Sequence, residues 1–143
     1  MTDDLSIRKR IRLTRDAYDQ PDATWLVTVG VLDRWTQPFA NPALASDVVA
    51  TIDRYVARKE LTIFAGCLMP DHLHLVICTN GLNLIDVMGA IKSITTRDWW
   101  KHGGTNEVWQ RSYHDEGLRI PEAFKRGMRY VLENPVKAKL AAS

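Results

Sequence analysis

The chain has 143 residues, 45% of them hydrophobic, which is enough for one buried core and too few for two comfortable ones. A formal net charge of +2 does not by itself define a nucleic-acid partner. The apolar stretches are strand-sized or interrupted by charge, and the N-terminus opens on Asp3, Asp4 and a basic run, so a single cytoplasmic domain spanning residues 1–143, with no membrane segment, is expected.

In chain order, residues 18–24 read as a turn, and Trp25 to Leu32 as a first strand rich in β-branched residues. Pro42 with Asn41 as its cap opens an amphipathic helix, whose apolar positions Leu44, Val48, Val49, Ile52, Tyr55 and Val56 recur up to about Lys59. Thr62 to Leu68 and His72 to Cys78 flank the turn Met69-Pro70-Asp71 and predict a hairpin. Leu84, Ile85, Met88, Ile91 and Ile94 mark a second helix, extended to about Trp100 and ended by His102-Gly103-Gly104. Short extended pieces are expected around Val108 to Gln110 and Leu118 to Ile120. Pro121 then opens a last helix, which is expected to stop near Asn134 because Pro135 disfavours helical geometry before it. The order βαββαβα predicts an α+β, ferredoxin-like (RRM-like) sandwich, an antiparallel sheet with helices on one face.

Charge is unevenly distributed. Arg8, Lys9, Arg10, Arg12 and Arg15 form one N-terminal run, and a second basic region extends from Lys92 to Lys139. Two basic borders around an apolar scaffold fit a polyanionic partner, although solvated surface charge gives the same pattern. Trp99, Trp100 and Trp109 lie among these cations, a combination suited to stacking unpaired bases while cations follow the phosphates; core packing is the competing role for at least two of them. Cys67 and Cys78 are read as reduced residues rather than a disulfide.

In a strand, alternate side chains share a face, so His72 and His74 point one way while Leu73, Leu75 and Ile77 point the other. Same-face neighbours stand roughly 6 to 7 Å apart, a separation that one metal ion spans when both rings lean inward. Two structural histidines are the plain alternative. A zinc site sharing Cys78 fails on reach, since six strand residues cover roughly 20 Å. A histidine-triad hydrolase fails because the next same-face position is Val76.

The stretch Met69-Pro70-Asp71-His72-Leu73-His74-Leu75-Val76-Ile77 is similar to the His-hydrophobe-His strand of the IS200/IS605-type single-tyrosine (Y1) HUH transposases. Trp109-Gln110-Arg111-Ser112-Tyr113, Asp115, Arg119 and the run from Tyr130 to Ala138 resemble the C-terminal motifs of their REP-associated tyrosine transposase (RAYT) branch. Arg10-Ile11-Arg12-Leu13 and the Val27-Thr28 strand fit the same branch, so the resemblance covers nearly the whole chain. It implies a metal-dependent endonuclease that nicks single-stranded DNA near hairpins through a covalent 5′-phosphotyrosine and rejoins strands. It also implies Tyr130 as nucleophile and Asn134, one helical turn on, as a third metal ligand beside His72 and His74.

Two imidazoles and an amide oxygen suit Mg²⁺ or Mn²⁺. A phenol with an ordinary pKa near 10 needs positive charge or a proton acceptor nearby, and Arg126, Arg129 and Lys137 are close in sequence. Arg8, Arg10, Arg12 and Arg111 complete the expected DNA-binding set, with REP-like palindromes or insertion-sequence ends as partners and a monomer as the expected state. Tyr113 is the alternative nucleophile. The competing functional reading is a domesticated, non-catalytic hairpin-DNA-binding module. A replication-initiator or relaxase nuclease is disfavoured, since those normally carry partner domains.

Overall fold

The structure, a computed structural model, describes residues 23–137, with side chains through Glu133. Four strands form one antiparallel sheet: β1 (Thr24–Gly30), β2 (Thr62–Met69), β3 (His72–Cys78) and β4 (His114–Gly117), in the order β2-β3-β1-β4. Three helices of two turns or more accompany it, α1 (Pro42–Ala57), α2 (Leu84–Lys101) and α3 (Pro121–Lys137). The order of elements and the α+β class are as the sequence predicts.

Local chemistry accounts for the helix starts. Asn41 Oδ1 accepts from the backbone N–H of Ala43 at 2.9 Å, with Pro42 filling the first helical position where no N–H is needed. Asn83 caps α2 in the same way through Ile85 N at 2.9 Å. At the other end of α2, Gly103 takes a positive φ of 91° and lets the chain turn out of the helix.

The sheet is covered on both faces, and by different helices. Trp25, Val27, Val29, Leu73, Leu75 and Ile77 project from one face into the main core, where they meet Leu44, Val48 and Ile52 of α1 and Leu84, Met88 and Ile91 of α2. Leu26 and Val76 project from the other face into a smaller cluster with Ala65, Leu118, Ala123 and Val131. The expectation of helices on one face therefore holds for α1 and α2, while α3 packs on the opposite face.

Three boundaries differ from the sequence reading. β1 ends at Gly30; Val31 is buried and forms a single bridge with Trp109, and Leu32 is exposed. The last strand is His114–Gly117 rather than Leu118 to Ile120. Its polar sequence pairs with β1 at the sheet edge, whereas Leu118 turns inward beneath α3 and Ile120 is exposed. Finally, α3 passes through Pro135 to Lys137 instead of stopping near Asn134. The restriction before proline is a preference of a few kcal/mol, and apolar packing of Ala123, Met128 and Val131 already commits this helix to the sheet.

Candidate metal and tyrosine site

The ladder fixes the site from one side. Thr28 pairs with His74 and Gly30 with His72, and paired residues share a face, so the two imidazoles stand beside Thr28 and Gly30 on the face that α3 covers. Their ring centroids are 4.5 Å apart and nearly perpendicular. From the helix side, the ring of Tyr130 meets His74 edge to face at 5.1 Å. Strand and last helix thus bring His72, His74 and Tyr130 together.

Each histidine has one ring nitrogen engaged. His72 Nδ1 lies 2.6 Å from Asp71 Oδ1, and Asp71 Oδ2 accepts from Arg34 Nε at 3.2 Å. Burial pulls the Asp71 carboxyl upward, but the hydrogen bonds and charges of His72 and Arg34 outweigh it and hold the group below the usual aspartate value. His74 Nδ1 lies 3.0 Å from Thr28 Oγ1. Its Nε2 is buried with no hydrogen-bond partner among the described residues, and the whole residue is 1% exposed. Burial, reinforced by the neighbouring His72 and opposed by Asp71, lowers its pKa to about 4, so the ring is neutral at physiological pH.

A neutral imidazole whose Nδ1 is held by a hydroxyl and whose Nε2 has no partner, as in His74, could ligate a metal through that nitrogen. Burying that Nε2 unsatisfied is costly unless something binds it. Among the described residues no group of three His, Cys, Asp or Glu is placed to hold a metal. Cys67 pairs with His74 across β2 and β3, but its thiol donates to Met69 Sδ at 3.4 Å and burial raises its pKa, both against thiolate ligation. Cys67 and Cys78 are unbridged.

The other predicted residues divide clearly. Tyr130 is about half exposed, and Arg126, one turn before it, is exposed on the same helix, as is Arg129. The backbone of α3 carries Asn134 one turn after Tyr130; the side chains of Asn134 and Lys137 lie outside the described ones. Arg8, Arg10 and Arg12 lie outside the described residues. Arg111 is exposed in the segment before β4, away from α3. Tyr113 is buried in the main core with Lys92 Nζ 5.6 Å from its ring centre, on the face opposite His74, which removes it as the alternative nucleophile. Of the three tryptophans, Trp109 is core and donates to Thr95 Oγ1 at 2.7 Å, Trp99 is partly buried and Trp100 is exposed.

Sequence reasoning missed Thr28, Asp71 and Arg34. Asp71 was within reach of it, because it directly precedes His72. Thr28 becomes visible only through strand register.

The fold is thus an antiparallel sheet whose His-x-His strand faces a tyrosine on the last helix. The family model described as "Transposase IS200 like" matches residues 33–117, and the chain belongs to that family. A REP-associated tyrosine transposase solved bound to a REP hairpin superposes with a TM-score of 0.70 at 21% identity, covering 92% of this chain and 76% of that one. A putative transposase from Deinococcus radiodurans superposes with a TM-score of 0.54 at 16% identity, covering 85% and 93%. No curated protein sequence matches significantly. Among the described residues no helix is long and apolar enough to cross a membrane.

Proposed function

We propose that this chain is a metal-dependent single-strand DNA endonuclease and strand transferase that acts near hairpins, with Tyr130 as nucleophile. The observation that carries the reading is the unpartnered, buried Nε2 of His74 beside His72 and against the Tyr130 ring. Family membership and the hairpin-bound structural neighbour support DNA as the substrate.

His72, His74 and Asn134 would hold Mg²⁺ or Mn²⁺, which supplies a positive charge for the scissile phosphate. Asp71 and Thr28 hold the two imidazoles through Nδ1, and in His74 this leaves Nε2 available. Tyr130, on a helix packed against the sheet, is delivered to the same place with its entropy of positioning already spent in folding. Its phenol oxygen forms a bond to phosphorus as the P–O3′ bond breaks; the phenolic proton is lost and the leaving 3′-oxygen gains one. The 5′-phosphotyrosine retains a phosphodiester, so a 3′-hydroxyl reverses the step without ATP. Arg126, one turn from Tyr130, adds positive charge on the approach side. Rejoining by a single protein copy is consistent with a monomer.

The test is incubation of labelled single-stranded hairpin oligonucleotides with the protein and Mn²⁺, scored for a covalent adduct on a denaturing gel. Wild type is expected to form the adduct and Tyr130→Phe to form none while binding normally. An adduct with the Phe variant overturns the tyrosine assignment, and binding without any wild-type adduct establishes the non-catalytic module instead.

A further inference from the structure

A groove of about 710 Å³ runs between α2 and the segment 107–111. Gly89 lies in its lining, in the interior of α2, where glycine is less favourable than alanine. Nothing in the backbone demands it: the glycines with positive φ are Gly81 and Gly103, and a Cβ at position 89 meets no atom within 4 Å. The missing side chain leaves the groove open.

The wall opposite α2 is pinned. Lys92 Nζ donates to the carbonyls of Gln110 at 2.7 Å and Arg111 at 2.8 Å. Trp100 Nε1 donates to Asn106 O at 2.7 Å, which fixes the indole by its edge while 51% of the residue stays exposed. Arg97 and Arg111 are exposed in the same lining, where Glu107 is the single acid.

One lining residue, Gln110, reaches across to the strand that flanks the histidines. Gln110 N donates to Gly30 O at 2.9 Å, and Gln110 Oε1 lies 3.3 Å from where a Gly30 Cβ would stand. Gly30 is the ladder partner of His72. Gln110 therefore links the β1 flank of the site to the groove.

We propose that this groove is a track for the single-stranded DNA flank of the substrate, in which Trp100 stacks on an unpaired base and Arg97 and Arg111 face the phosphates; the proposal rests on the strand-cleavage reading above. An indole held by its edge with an exposed face suits a base that has no partner, and a duplex interior offers no such face. Cations beside it follow the backbone, and the helical glycine provides the room.

The test uses fluorescent hairpin oligonucleotides with long or trimmed single-stranded flanks, titrated by anisotropy in EDTA, with adduct formation in Mn²⁺ scored in parallel. Trp100→Ala and Gly89→Gln are expected to weaken binding of the long-flank DNA about tenfold and leave the trimmed DNA unaffected. Arg111→Ala is expected to lower the slope of log affinity on log salt by about one. Gly89→Ala, a better helix former at the same position, should melt at least as high as wild type, so that weaker flank binding by variants at this position reports the room in the groove and not the fold. Long-flank binding at wild-type strength in Trp100→Ala and Gly89→Gln overturns the track. Wild type that binds the flank but forms no adduct overturns the cleavage reading and keeps the track; wild type that binds neither DNA overturns both.

Discussion

Thr28 Oγ1 lies 3.0 Å from His74 Nδ1, a contact between neighbouring strands that decides which ring nitrogen of His74 is available. Thr28→Val keeps the shape and removes the hydroxyl. Mn²⁺ affinity measured by calorimetry is expected to fall by about tenfold to a hundredfold, with a loss of stability near 1 kcal/mol. Thr28→Ser should recover most of the affinity; unchanged Mn²⁺ binding in the Val variant would count against the assigned role.

Asp71 and Arg34 form a graded pair. Asp71 touches His72 directly, whereas Arg34 reaches His72 only through Asp71 and is itself well exposed. Asp71→Ala should therefore reduce Mn²⁺ affinity by about tenfold or more, and Arg34→Ala by a factor of a few, because exposed ion pairs are screened by water. Equal effects from both variants would mean that Arg34 has a separate role.

The metal-free protein should lose stability in acid through His74. Its folded pKa is lowered from the ordinary 6.5 to about 4, so the unfolded chain binds more protons in that interval. The His74 contribution is fully present above pH 6.5 and disappears as pH falls to about 4. Urea melts across that window should show a falling midpoint in wild type and a flatter profile in His74→Gln.

Gly104 lies flat against the Trp99 indole, and a Cβ there would overlap the ring at Cε2. Trp99 is also tethered through Nε1 to Thr105 O at 3.2 Å and cannot move without breaking that bond. Gly104→Ala is expected to destabilise the fold by about 1 to 3 kcal/mol. Thermal melting, with a shift of tryptophan emission, reports the displacement.

Much of this architecture was legible in the residues because burial writes a period into the sequence. The His-Leu-His-Leu alternation of β3 places His72 and His74 on one face, and Asn41-Pro42 marks the start of α1. The edge strand escaped notice because His-Asp-Glu-Gly carries no apolar alternation and pairs through its backbone, while nearby Leu118, which looked strand-like, belongs under α3. The partners of the histidines were invisible for another reason. Thr28 is 46 positions from His74 and meets it only through register. Tyr130 came from resemblance, since helical spacing alone equally suits a packed aromatic, and the structure now sets its ring against His74.

The pairing of Gly30 with His72 and Thr28 with His74 has a consequence for how this chain can vary. Strand side chains alternate with a period of two, so a shift of one residue in β3 would drive both imidazoles into the packing beneath α1 and α2 and put Leu73 and Leu75 beneath Tyr130. Single-residue insertions or deletions between Asp71 and His74 are therefore far more damaging than most substitutions there, and the length of this short stretch is constrained by register as strictly as its identity by chemistry.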